Sequence, residues 1–574
     1  MGCSTWVREY WRIVVPAKSG EDVDAEGWLV LYPQRNRLAA WRCIRFSRWH
    51  VAVMVWLTYF MLGSVYSFQI LTTPLERYFA QPTYSGSSGF FGSTLVLGIV
   101  AAVVGPVIER RGPRVGMVIG SVLVVAGLAM AHLAVAVRAP YLFTISYSIL
   151  VGSGYGFVLI ATMSTVQKWF PDFRGLVAGA AILCMGLGTG IWTKLAAVLM
   201  HRAQNVVDSA GDAYDELGLQ RIFLAQGGAA LVILLVTTMV VRTPPSDFSI
   251  RGHDIHCIPV NKAPPPRQLQ DDYFKVGMTL VNFGQDDTDN VYFEHVRALT
   301  LVDCILSSDF VWLYVAFAAN VAPIVMFVPE IFDLATGVLF DSSDGASSFV
   351  SLLFLSTSLG RVAGPLASDV VIRTFYMNPA YGRKLVLGIL LTIQAVATGL
   401  LLANVGSGHT SSIRWPSYAL GFALGGGFAI MPALVTDMFG VFNTGTMYGL
   451  LLTSWSIGAT AWGFVGRTTS ITQDSVEHHL RGLCVVGCIG VVVLTLVRTN
   501  TTDRFYRGYQ LTWCNTVVVQ VPSRQMRLDR LRWKDMAPTA SALDDWIDQE
   551  VEDRLSKSHA SPTLSQGPYG QSFM

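Results

Sequence analysis

The chain has 574 residues, of which 52% are hydrophobic and only 14% charged, with a mean hydropathy of +0.45. That composition excludes an ordinary soluble domain and makes the bilayer the expected solvent. The net charge is only +2 and the basic residues are dispersed, which excludes a nucleic-acid footprint.

Residues 1–49 are polar, basic and rich in Trp, and precede the first apolar run, so no cleavable signal is expected and the amino terminus should stay in the cytosol. Met1-Gly2-Cys3 invites acylation, but Trp6 stands where the usual pattern wants Ser or Thr, and an unmodified start is the plainer expectation. A membrane span needs about 20 mostly apolar residues to cross about 30 Å of hydrocarbon. Runs of that kind occur at 51–72, 87–108, 115–136, 141–164, 175–198 and 221–241, and again at 306–328, 346–368, 384–404, 415–437, 446–466 and 481–498. The expectation is an all-α membrane protein of twelve transmembrane helices in two six-helix halves, 50–242 and 305–498.

Positive loops stay in the cytosol. Arg110, Arg111 and Arg114 follow span two, Lys168 and Arg174 span four, and Arg373, Arg383 and Lys384 span eight. The intervening loops are poor in basic residues or acidic, as at Asp208, Asp212 and Glu216 and at Glu330, Asp333, Asp341 and Asp344. Both termini are therefore expected in the cytosol, with the plasma membrane the default location and an organelle membrane the alternative. Residues 243–304, with Pro264, Pro265 and Pro266, read as a cytosolic linker between the halves. In the cytosolic tail 499–574, Leu543, Trp546, Ile547, Val551 and Leu555 recur at helical spacing beside an acidic face, which suits a cytosolic protein partner or plain solvent. The eight cysteines form no disulfide framework, and His253, His256 and Cys257 lack the further ligands a zinc site needs. No cofactor or metal is expected.

After span two comes Gly105-Pro106-Val107-Ile108-Glu109-Arg110-Arg111-Gly112-Pro113-Arg114. It resembles the major facilitator signature, in which glycine permits close helix approach and an acid with basic partners latches neighbouring helices. Glu109 stands where that family usually has Asp. Ser368-Asp369, with Arg373 beyond, holds the corresponding place after span eight. A closer resemblance lies in Gly152-Ser153-Gly154-Tyr155-Gly156 and in Lys168 through Leu176, joined by Gly63 to Phe68, Gly425 to Pro432 and Phe439-Gly440. These are similar to the oxalate:formate antiporter family, a branch related to the monocarboxylate transporters. The likeness covers roughly 50–240 and 305–500.

That resemblance implies transport of small carboxylates through a central cavity by alternating access. Its anion sites use an Arg in span eight, matched here by Arg361, and in the oxalate carriers a Lys in span eleven, where this chain has Trp455. Physics points to Arg361 independently, because a mid-span Arg costs several kcal/mol unless it faces a cavity or a partner. The competing role is a structural pairing with a carbonyl or acid on a neighbouring span. With one fixed cation in place of two, a monocarboxylate or a bulkier anion is expected over oxalate. Lys194 lies about 30 Å from the cytosolic entry and reads as a snorkelling anchor. Tyr66 and Tyr155 are candidate hydroxyl donors to a carboxylate, or helix-packing residues. No Asp or Glu lies near mid-span, and Thr357 holds the place where the monocarboxylate transporters put an Asp one turn before the span-eight Arg. Anion exchange or uniport is therefore expected over proton symport, and an enzyme is not expected. The alternatives are a non-transporting sensor that keeps the fold and a proton-coupled carrier of another solute.

Overall fold

The computed structural model describes residues 9–13, 18–34, 37–80, 85–204, 211–245, 248–250, 252–258, 292–326, 343–405, 410–465, 473–506, 508–513 and 516–522. The proposed tail helix at 543–555, the three prolines, Cys3 and Cys514 lie outside the described residues. The chain divides into two compact units, Met1–Thr501 and Thr502–Met574.

Among the described residues eleven helices are long and apolar enough to cross a bilayer: Arg48–Phe79, Ser88–Arg111, Pro113–Ala136, Pro140–Trp169, Arg174–His201, Glu216–Val240, Ser308–Met326, Ser348–Phe375, Pro379–Asn404, Ser412–Phe439 and Asp474–Thr495. They coincide with expected spans one to ten and twelve. Expected span eleven is the helix Thr444–Val465, long enough at 22 residues but diluted by Thr, Ser, Gly and Trp. That composition suits a helix against helices. Span eleven packs along span two, and a Cβ added at Gly105 would sit 2.0 Å from Thr446 Oγ1. Small residues let helix backbones approach where no hydrophobic force drives association.

Burial sorts the spans into an inner and an outer set. Span ten is 89% and span four 78% buried over their apolar windows, against 28% for spans eight and twelve. Spans four and ten are thus interior, and spans eight and twelve turn most of their surface to lipid. Leu355, Leu359 and Leu366 form the exposed side of span eight. Two inner helices are irregular within their spans. Span one tightens to a 3-10 helix over Gly63–Leu71, and span four opens to a π-turn over Ser146–Val151. Such interruptions often mark functional hinges.

Three features go beyond the sequence expectation. Residues ahead of span one form a helix, Gly20–Glu26, and an antiparallel hairpin of β1 (Trp28–Gln34) and β2 (Arg37–Arg45). The linker ends are also folded: Tyr292, Phe293 and Val296 are buried, and the Tyr292 hydroxyl approaches the Asp437 carbonyl at 3.5 Å. In the second unit, β3 (Gly508–Trp513) pairs antiparallel with β4 (Thr516–Pro522), and Asp503 accepts from the Thr512 amide at 2.9 Å.

Candidate functional site

Spans from both halves meet around a narrow cavity of about 20 Å³. Tyr59, Val65 and Tyr66 line it from span one, Met185 from span five, Phe428 from span ten, and Tyr448 and Trp455 from span eleven. Tyr66 lies where span one has tightened, its ring 5.8 Å from Trp455 and 6.2 Å from Phe90. The cavity walls are apolar apart from tyrosine hydroxyls and the Trp455 indole. Tyr59 Oη is buried without a hydrogen-bond partner among the described residues. A buried hydroxyl left in that state costs about 1–3 kcal/mol, which a ligand oxygen would relieve.

Arg361 projects from the inward side of span eight. It is half-buried, and its Nη1 donates to the Ile182 carbonyl of span five at 3.3 Å, across the boundary between the halves. Gly186 leaves it room, since a Cβ there would stand 1.9 Å from Nη1. The guanidinium lies within electrostatic reach of the Tyr66 hydroxyl. Among the described residues no carboxylate pairs with Arg361. One long bond to a carbonyl leaves most of its five donors open to an anion. Thr357, one turn earlier, bonds back to the Leu353 carbonyl at 2.9 Å and supplies no charge.

Tyr155 is placed differently. It is fully buried, and its hydroxyl meets Ser64 Oγ at 3.2 Å and the Met61 carbonyl at 3.3 Å, holding span four to span one. The cavity walls do not include it.

One end of the bundle is closed by buried charges. Glu109 of the signature pairs with Lys168 at the end of span four, both almost fully buried. Gly112 turns the chain there at a φ of 85°, in the left-handed region glycine favours. Arg110 donates to the carbonyls of Glu9 and Arg12 at 2.6 and 2.8 Å, so the amino-terminal segment lies across it, while Arg111 is exposed. The second turn does more. Asp369 accepts from the Leu176 amide at 2.8 Å and the Gly175 amide at 3.3 Å, in the first turn of span five, where helix amides lack internal partners. Arg383 binds Asp369 at 2.9 Å and Asp437 at 2.5 Å, and its Nη1 donates to Ser368 Oγ at 2.9 Å. Arg174 reaches across to Asp437 at 2.5 Å. Two cations and two acids thus form a neutral, buried knot between spans five, eight, nine and ten. Asp309, in the first turn of span seven, pairs with Arg498 at 2.9 Å.

The sequence reading marked Glu109, Ser368, Asp369, Tyr66, Trp455 and Arg361, and missed Tyr59, Tyr448 and the Arg174–Asp437–Arg383 chain. Spacing carries a trace of the last, because each residue lies near a helix end, but their pairing across halves is visible only in three dimensions.

The sequence matches the Major Facilitator Superfamily over residues 55–463. It is 24% identical to the oxalate:formate antiporter of Oxalobacter formigenes, across 73% of this chain and 84% of that protein. It is 21% identical to the uncharacterized MFS-type transporter YhjX of Escherichia coli, across 72% and 86%. Among solved structures, the proton:xylose symporter XylE superposes with a TM-score of 0.54 at 14% identity, covering 78% of this chain and 95% of that one. The fucose transporter FucP in its outward conformation gives 0.53 at 12% identity, covering 78% and 99%. At such identities the structures speak to fold alone. The chain belongs to the Major Facilitator Superfamily and is an integral, multi-pass membrane transporter.

Proposed function

We propose that this transporter carries small organic anions, monocarboxylates foremost, by alternating access between the halves 50–242 and 305–498, through exchange or uniport. The observation that carries the reading is Arg361: a guanidinium in mid-span within electrostatic reach of Tyr66, with no acid partner among the described residues and one 3.3 Å bond to a carbonyl of the other half. A carboxylate between Arg361 and the tyrosine hydroxyls would accept from both and neutralise the cation. The likeness to an oxalate:formate antiporter supports an anionic substrate. Trp455, an indole N–H on an apolar face, supports a single carboxylate over two. Tyr155 contributes by fixing Ser64 of span one beside the site.

The closed end is the cytosolic one on the distribution of Lys and Arg, so the conformation is shut toward the cytosol. Glu109 with Lys168, and Asp369 on span five, are the latches that part when it opens.

The test is uptake of labelled small mono- and dicarboxylates into liposomes holding the purified protein. Saturable monocarboxylate uptake, weaker for dicarboxylates, supports the proposal. Ligands that stabilise the protein thermally but are never taken up would instead identify a sensor.

A further inference from the structure

The hairpin ahead of span one has no part in the cavity or the latches, yet it is firmly placed. Arg242, two residues past span six, donates through Nη1 to the Glu26 and Trp28 carbonyls at 2.5 and 2.7 Å, and through Nη2 to that of Leu29. Phe46 lies 4.0 Å from that guanidinium and 5.0 Å from Trp169, the last residue of span four. Lys18 donates to the Thr243 carbonyl at 2.6 Å, and Arg48, opening span one, grips Asp172 at 2.7 and 3.0 Å. The base of the hairpin is thus tied to the ends of spans one, four and six. Strand β1 packs on span six and buries Leu31, which leaves β2 as the outer strand.

The outer strand is unlike a water-facing edge. Trp41 is 64% and Ile44 55% exposed, Trp49 follows at 45%, and Arg42 and Arg45 are exposed among them. Strict alternation would put Trp41 and Ile44 on opposite faces, but a bulge between the Trp28 and Val30 pairings breaks it. The exposed acids of the described residues ahead of span one, Glu9, Glu21 and Asp24, all lie off β2. Trp gathers at the interfacial layer of a bilayer, and Arg beside apolar side chains pairs there with phosphate.

We infer that β2 is an interfacial anchor: Trp41, Ile44 and Trp49 enter the headgroup layer of the leaflet on the closed side, and Arg42 and Arg45 bind phospholipid phosphates. The occupant is lipid because the strand is continuous, through two residues, with a membrane span, and because its charge complements phosphate. The anchor holds the entry angle of span one and, through Arg242, the end of span six.

The native thiol of Cys43, exposed on β2, gives the test. The full chain, with its other seven cysteines replaced by Ala and a spin label on Cys43, is placed in phosphatidylcholine nanodiscs. Relaxation by oxygen and by a nickel-chelating lipid should exceed relaxation by a soluble nickel chelate. Trp41→Glu with Ile44→Glu should abolish the lipid-nickel effect. Relaxation dominated by the soluble chelate in the parent protein, or a lipid-nickel effect unchanged in the double variant, overturns the inference. If the cysteine-depleted chain misfolds, quenching by lipids brominated near the headgroup is compared between the native chain and Trp41→Phe. Equal quenched intensity in the two then overturns it.

Discussion

Arg361→Ala separates a ligand-binding cation from a structural one. Without substrate the guanidinium makes one 3.3 Å hydrogen bond, to the Ile182 carbonyl, and has no acid partner among the described residues. Its removal therefore takes away little native stabilisation and relieves part of a burial cost, so the unliganded variant should melt no lower than the parent. With substrate the balance reverses. Truncating one member of a desolvated charge pair costs about 2–5 kcal/mol, which is roughly 30-fold to 4,000-fold in Kd. Arg361→Lys keeps the charge but loses the planar fork, and should fall between the two. Gly186→Ala forces the guanidinium off its place, because the new Cβ would stand 1.9 Å from Nη1, and should weaken binding with every charge intact. Calorimetric titration with monocarboxylates, beside thermal unfolding of the empty protein, reads both quantities. Parental affinity in Arg361→Ala would refute the site. An unliganded variant destabilised by several kcal/mol would show that the residue is a brace.

Asp437→Asn leaves Arg174 and Arg383 short of one acid, and loss of a partner from a buried pair costs about 3–5 kcal/mol. The closed end should open more often, and Cys304 reports it: its thiol is buried against the Phe439 carbonyl at the end of span ten, so its maleimide labelling, followed by mass spectrometry, should accelerate. An unchanged rate would mean that the knot does not hold this end shut. Trp455→Lys should raise affinity for oxalate relative to monocarboxylates by supplying a second cation, and an unchanged ratio in a folded variant would contradict the specificity argument. His256 is held down at about 4 by burial, then by Arg297, Arg174 and Lys168, against the opposing pull of Asp254. A folded-state value below the ordinary 6.5 means that the unfolded chain binds the proton first, so stability is lost as pH falls from about 6.5 towards 4, by about 2–3 kcal/mol at most. His256→Gln should flatten that stretch of the pH–stability curve, and a curve of unchanged slope would show that the imidazole is not the titrating group.

How much was legible depended on the kind of signal. Eleven of the twelve expected spans followed from apolar length among the described residues, and Thr444–Val465 fell short of it, because its Thr, Ser and Gly serve packing against span two. Arg361, Glu109 and Asp369 stood out because a charge within or at the end of a span is expensive and needs a reason. The hairpin was not legible: with Trp and Arg mixed along residues 28–45, it reads as a basic aromatic segment until Arg242 is seen collecting its carbonyls. The two roles open to Tyr155 could not be told apart by spacing, since its partner Ser64 lies 91 residues away. Tyr59 and Tyr448 lay within apolar helices, where nothing local distinguishes a cavity wall from a packed core.

Substrate exchange tests most directly whether the empty carrier can cycle. On the proposed role of Arg361, an empty carrier must move a guanidinium that has no acid partner among the described residues through its occluded state, a cost that a bound carboxylate largely cancels. Uptake of a labelled monocarboxylate is therefore compared between liposomes preloaded with the same unlabelled substrate and empty ones, with and without an inward proton gradient. Preloading should speed uptake strongly, and the gradient should add little. Equal uptake into empty liposomes, driven by the proton gradient, would contradict the assignment of Arg361 as a cation neutralised by its substrate.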